Sequence, residues 1–387
     1  MKFILAIFLA CFAVASAQDN PPLEYRVVEK GDVRMHVITL DPKKHTIHLV
    51  RAMDQTVGQE LLSHMLKRKK GIAAINGTFF KSGGRLSGEE SYITFYNGKF
   101  EKIFPGDVSV FGSIDGSYHT DIVHVQCFVQ GPTCMKGKSY RVPVDAVNTG
   151  EGHPVVVYTD AYHRSTLTIP GRLEVSVDKD GMILAINSKG TTPIPVGGYV
   201  FSFSREAWRH HGSFFVKGTR TYMMHTFTSQ KNLSWDRSQF LIAGVPTLLQ
   251  NGDLKPVTQC KSKDFVEGKH ARTAVGVRGD GQVILLHVEG NSEDMDVSFK
   301  DVLVQLKKAG HTQDTVRGLT MDAVARFLQK DVKGPGVSLK KLAQLLKGLD
   351  CKDAINLDGG RFSGICFGNT CPTRDPLVSN ALIVSPS

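Results

Sequence analysis

The sequence predicts an α+β fold of mixed, largely antiparallel sheets with packed helices, and three observations predict it. Apolar and polar residues alternate over short stretches, as in 24–51. Asn-Gly and Asp-Gly pairs recur between β-branched segments, the commonest signature of tight hairpins. Longer segments with apolar residues at helical spacing follow a serine or threonine in cap position.

Residues 24–51 read as strands joined by the turn Asp41-Pro42-Lys43-Lys44. A helix is expected over about Gly58 to Lys70, with Leu61, Leu62, Met65 and Leu66 on its inner face and Gly71 just past its end. The run Gly71 to Phe80 reads as a buried strand ending in Asn76-Gly77. The β-rich middle, 105–232, carries no motif to which chemistry attaches. Tyr96-Asn97-Gly98-Lys99, Lys179-Asp180-Gly181, Asn251-Gly252 and Gly279-Asp280-Gly281 mark hairpins, which accounts for Arg278-Gly279-Asp280 without an adhesive role. Helices are expected from the caps Ser298, Thr320 and Ser338, the first two in a helical insertion at 292–333.

The first seventeen residues have the charge, apolar run and Ala15-Ser16-Ala17 cleavage site of a signal peptide, leaving a domain over 18–387. No later run has the length to cross a bilayer, so a secreted protein without a membrane anchor is expected. Of the 7 cysteines, Cys11 leaves with the signal; Cys127, Cys134, Cys260, Cys351, Cys366 and Cys371 form an even set suited to disulfides. Pairing 127 with 134, 366 with 371 and 260 with 351 is one arrangement out of fifteen. No cysteine spacing matches a zinc site, and neither metal nor cofactor is expected. Asn232, in Asn232-Leu233-Ser234, is the better glycosylation acceptor, because Asn76-Gly77-Thr78 adjoins an apolar run.

The net charge of +10 favours anionic partners, and outside the cell nucleic acid is the least natural of them. Lys67-Arg68-Lys69-Lys70 is the densest basic run. It suits a helix C-terminus and also a patch for sulfated glycans.

The chemistry concentrates in Asp353 to Gly364, where an apolar strand ends at Asp358-Gly359-Gly360-Arg361. Glycines there permit a tight turn with exposed N–H groups, and Asp358 sits at the strand's exit. With Ala74 to Phe80, Lys269 to Val277, and Gly336 to Leu339 with its helix, this stretch resembles the phosphodiester glycosidase family; Val378 to Val384 fits that family's last strand. The resemblance covers about 71–100 and 240–384. It implies a cleft for a sugar 1-phosphodiester on a glycan or glycoprotein, with Asn76, Glu89, Arg272, Thr273, Asp358, Gly359 and Gly360 near it. Under that resemblance Asp358 and Glu89 are the carboxylates, one as nucleophile or base and the other at the leaving oxygen. Asn76 would bind substrate or orient a carboxylate. Arg272, with the N–H groups of Gly359 and Gly360, would hold the phosphate.

Two departures stand out. Arg361-Phe362 replaces a third glycine and a small hydroxyl residue, and the family's acidic-Gly pair is here Glu289-Gly290. Arg361 either re-tunes the phosphate pocket for a more anionic substrate or blocks it. The resemblance thus implies a secreted hydrolase. The alternative is a catalytically degenerate pseudoenzyme that holds heparan sulfate or heparin through the basic run, with an extracellular signalling protein as a further partner.

Overall fold

The computed structural model describes residues 23–83, 86–96, 99–103, 106–131, 140–150, 152–256, 262–290 and 335–387. The signal segment, Cys134, Cys260, the Asn97-Gly98 turn and the 292–333 insertion lie outside them.

The central sheet is antiparallel throughout. Its order is Glu24–Lys30, Val33–Leu40, Val283–Val288, Arg272–Arg278, Cys351–Asn356, Thr247–Gln250 and Asp253–Leu254. Alternation sends Ile38, Val275, Leu285 and Ile355 to one face and Val37, Ala274, Leu286 and Ala354 to the other. The first set packs on a four-stranded sheet of Ile365–Phe367, Ala73–Asn76, Asn380–Pro386 and His45–Arg51. The second receives the Leu339–Lys347 helix through Leu342 and Leu346, and Ser338 caps that helix by accepting the Lys341 N–H. Both faces are buried, so these strands read as nearly continuous apolar runs.

The β-rich middle forms two further sheets around one core. One joins Ser117–Gln130, Gly106–Ile114, Ser238–Ala243, Thr94–Tyr96 and Lys99–Lys102, with Arg141–Pro143 and Tyr222–Ser229 flanking the longest strand. The other runs Ala146–Val147, Val155–Thr159, Tyr199–Phe203, Leu173–Val177 and Ile183–Asn187. Val110, Val125, Val175, Phe201 and Phe203 meet between them.

Several expectations are met in detail. Asn251 and Gly252 have φ of 54° and 86°, the left-handed pair that a tight hairpin turn needs. Arg278 is tied to the Leu349 carbonyl and Gln282, as a structural turn residue. Asn232 is exposed and Asn76 buried, as their settings suggested.

Others are corrected. The expected 58–70 helix is shorter, Leu62–Arg68, because Glu60–Leu61 pairs with Leu377–Val378 as a strand. Lys70, with φ 53°, makes the left-handed exit; Gly71 is instead packed so closely that a Cβ would lie 2.4 Å from Ile383. Cys366 and Cys371 are bonded, as expected. Cys127 lies in the core between the middle sheets and Cys351 with its sulfur against Gly276; their expected partners, Cys134 and Cys260, lie outside the described residues. Among the described residues no helix is long and apolar enough to cross a membrane.

Candidate active site

Asp358 follows the Cys351–Asn356 strand by two residues, and its turn is docked on three sides. The Leu357 N–H donates to Thr273 O (2.9 Å), the Asp358 N–H to Gly77 O (3.1 Å), and the Gly360 N–H to Ala271 O (2.8 Å). Gly359 has to be glycine because a Cβ would stand 2.9 Å from that same Ala271 oxygen; Gly360 has to be because its φ is 59°. The Gly359 N–H turns back to Asp358 Oδ1 (2.8 Å). Both glycine N–H groups are therefore engaged within the protein, and the expected phosphate cradle is instead the brace of the turn.

Asn76 is the joint of this assembly. Its Nδ2 donates to Asp358 O (2.8 Å), while its Oδ1 accepts the Thr273 hydroxyl (2.7 Å) and the Gly364 N–H (3.0 Å). With both ends of the amide occupied, Asn76 and Thr273 orient the Asp358 turn.

Burial raises the Asp358 carboxyl to about 7, against the Gly359 N–H and the Arg361 charge, which favour the anion. Arg361 lies half-buried over the Phe362 ring and donates to Ser82 Oγ (3.1 Å). Phe362 in turn packs on Phe80, ring centres 4.6 Å apart. The side chains that replace glycine and hydroxyl are thus laid on the 80–82 segment.

That segment leads to Glu89, because the Lys81 N–H donates to Glu89 O and Phe80 bridges Glu90. The Glu89 side chain is buried, with Lys102 Nζ, Lys81 Nζ (3.2 Å) and the Thr149 hydroxyl (2.7 Å) all on Oε1. Burial alone would raise this carboxyl. The Lys102 ammonium, helped by Thr149 and Lys81, overcomes that and holds it below the usual carboxylate range. Burial also works against Lys102, lowering it from its ordinary value. The charged pair is nevertheless the form that these contacts stabilise.

Arg272 is placed differently from expectation. Its side chain is buried, with Nε donating to Val337 O (3.0 Å) and Nη2 to Phe265 O (2.7 Å) and Gly268 O (3.2 Å). Those carbonyls pin the Lys263–Glu267 helix and its loop against the end of the central sheet, and the guanidinium lies over the Phe265 ring. Its position alternates with that of Thr273, which sends the two side chains to opposite faces.

The basic run sits on the outer helix. All four of its residues are exposed; Arg68 is ion-paired with Asp54 and Glu60, and Lys69 with Asp54.

Sequence reasoning missed Lys81, Lys102 and Thr149. A lysine in a strand reads as a surface charge, and only the fold brings residue 149 to residue 89. It also attached no partner to Glu289, which accepts from His36 Nε2 (2.7 Å) while His36 Nδ1 meets the Tyr25 hydroxyl (2.8 Å). Beside this buried relay His287 is pushed down to about 3 by burial, with His36 and Arg374 adding to it, and so is neutral.

Comparison with known proteins agrees with this architecture. A protein from Synechocystis of undetermined function superposes with a TM-score of 0.71 at 18% identity, over 95% of this chain. This chain spans 64% of that protein's length. A candidate exported protein from Burkholderia pseudomallei K96243 superposes with a TM-score of 0.66 at 16% identity, over 92% of this chain and 74% of that one. At these identities the likeness is one of fold. An uncharacterised Rickettsia conorii protein is 23% identical over 228 residues, 58% of this chain and 77% of its own. The sequence profile of the phosphodiester glycosidases matches residues 171–322 and 309–385. The match reaches into the middle region, where no resemblance was evident, and takes in Arg272, Asp358 and Arg361. With more than half its length so matched, this chain belongs to the phosphodiester glycosidase family.

Proposed function

We propose that the chain hydrolyses a sugar 1-phosphodiester carried on a glycan or glycoprotein, outside the cell that makes it. The observation that carries this reading is the opposed ionisation of two buried carboxyls: Asp358 is raised to about 7 and Glu89 is held down. Environments that push two carboxyls apart assign an acid and a base. Glu89, ionised, stabilises positive charge developing at the anomeric carbon or attacks it. Asp358 carries a proton to the leaving oxygen. A phosphate leaves readily, so holding it matters as much as protonating it. Arg361, next to Asp358, and Lys81, next to Glu89, are the cations proposed for that task, since Arg272 is bound to backbone carbonyls.

Turnover is expected to fall as pH rises through about 7, where Asp358 loses its proton, and again at acid pH as Glu89 gains one. The test is release of N-acetylglucosamine from an N-acetylglucosamine 1-phosphodiester, with Asp358→Asn as control. Turnover by the folded wild-type protein that survives unchanged in the variant would remove Asp358 from the mechanism. A folded protein inactive on a panel of sugar 1-phosphodiesters overturns the hydrolase reading.

A further inference from the structure

Glu89 is held asymmetrically. Three donors crowd Oε1, while Oε2, equally closed to solvent, has no hydrogen-bond partner among the described residues. A buried acceptor left this way costs about 1–3 kcal/mol. Moving one donor across would relieve it, so something fixes the donors in place.

Lys102 is that fixture. Its side chain is 3% exposed, and besides Glu89 its Nζ donates to Asn148 O at 3.0 Å. Asn148 is in the left-handed conformation, φ 53°, an uncommon state for a residue with a Cβ. The conformation is locked from both ends of its amide: Nδ2 donates to Glu101 O and Thr159 Oγ1, and Oδ1 accepts the Thr159 N–H. Three bonds to its side-chain amide thus hold the Asn148 carbonyl in one orientation, toward Lys102. The next residue, Thr149, supplies a hydroxyl to Glu89. Gly150 then passes so close that a Cβ would lie 3.3 Å from Glu89 Oε2 and 2.0 Å from Leu86.

We propose that Lys102 is a positioning residue of this site: anchored on the Asn148 carbonyl, it grips Glu89 by Oε1 and so fixes the orientation and the charge of the carboxylate. This rests on the reading of Glu89 as the ionised carboxylate. The charged and titratable groups around the pair come from each packed element: Lys81 from the segment after the Ala73–Asn76 strand, Glu90 beside Glu89, and Tyr158 from the Val155–Thr159 strand.

The test is an NMR titration of the Glu89 carboxyl carbon in protein labelled with ¹³C-glutamate, assigned by its loss in Glu89→Gln. In the wild type Glu89 is expected to titrate below the ordinary glutamate value of about 4.3. In Lys102→Met its midpoint is expected to rise by about one unit or more, and Lys102→Arg to restore most of the shift. A wild-type midpoint at or above the ordinary value overturns the proposal, whether or not any variant folds. So does an unmoved midpoint in folded Lys102→Met. Neither reading needs turnover, so failure of the phosphodiesterase assay and failure of this proposal are separate results. In the active enzyme the loss in Lys102→Met should fall on kcat, with its acid limb moved to higher pH; a loss confined to KM would count against positioning.

Discussion

Asp358 and Glu89 are both shut away from water, yet their surroundings drive them in opposite directions. Around Asp358 the nearest donor to the carboxylate is the N–H of the next residue, and the Arg361 cation is half open to solvent. Around Glu89 a buried ammonium, a second ammonium and a hydroxyl converge on one oxygen. Burial therefore does not decide the state of a carboxyl in this protein. What decides it is whether the fold brings a compensating charge to within hydrogen-bond reach, and the elements that bring one to Glu89 come from the middle sheets rather than the central one.

The contrast can be broken most forcefully at Glu89. Glu89→Gln should lower turnover by about 10⁴-fold and leave Lys102 buried without its counter-charge, destabilising the fold by about 3 kcal/mol. Because a depressed carboxyl contributes stability above its unfolded pKa, that deficit should shrink as pH falls below about 4 in chemical denaturation. Constant destabilisation from pH 3 to 8 would contradict the assignment.

Asp358→Asn should behave in the opposite sense. Turnover falls by about 10²–10³-fold, but thermal stability rises at pH 8. A raised carboxyl contributes stability that is present at low pH and lost as pH climbs through its folded value, here about 7, so the variant's advantage should vanish near pH 4. A variant less stable than wild type at pH 8 would sink the claim.

A smaller effect is expected at Arg361. Replacing it with glycine should raise KM by about tenfold or more through the lost phosphate contact. It should also move the alkaline limb of the pH profile upward, because the charge that favours ionised Asp358 is gone. A limb that stays in place would separate Arg361 from Asp358.

The mildest change is Thr273→Val, worth about 1 kcal/mol by denaturant unfolding. Asn76 Oδ1 loses the hydroxyl but keeps the Gly364 N–H. A loss above about 3 kcal/mol would show that the joint has no redundancy.

Much of this fold could be read from the chain. Alternation located the strands within 24–51, Asn251-Gly252 marked a hairpin of the central sheet, and Ser338 marked the helix it caps, because each depends on neighbours in sequence. Asp358-Gly359-Gly360 was legible as a turn for the same reason. What the turn's N–H groups bind was not, since Ala271 reaches them only through strand pairing. Arg272 and Thr273 were both placed near the cleft, although adjacent strand residues face opposite ways. Lys102 and Asn148 carried no local mark at all; their meaning lies in a contact across 46 residues.

The Asn76 joint has a kinetic consequence. Its hydrogen bonds close intervals of 282, 197 and 288 residues. Contacts of such separation form after the local ones, because ring closure has to precede any gain from them. Asn76 emerges early in synthesis and Gly364 late, so the site is assembled only after almost the whole domain has been made. A ribosome-bound chain stalled before residue 364 should fold strands but possess no competent cleft.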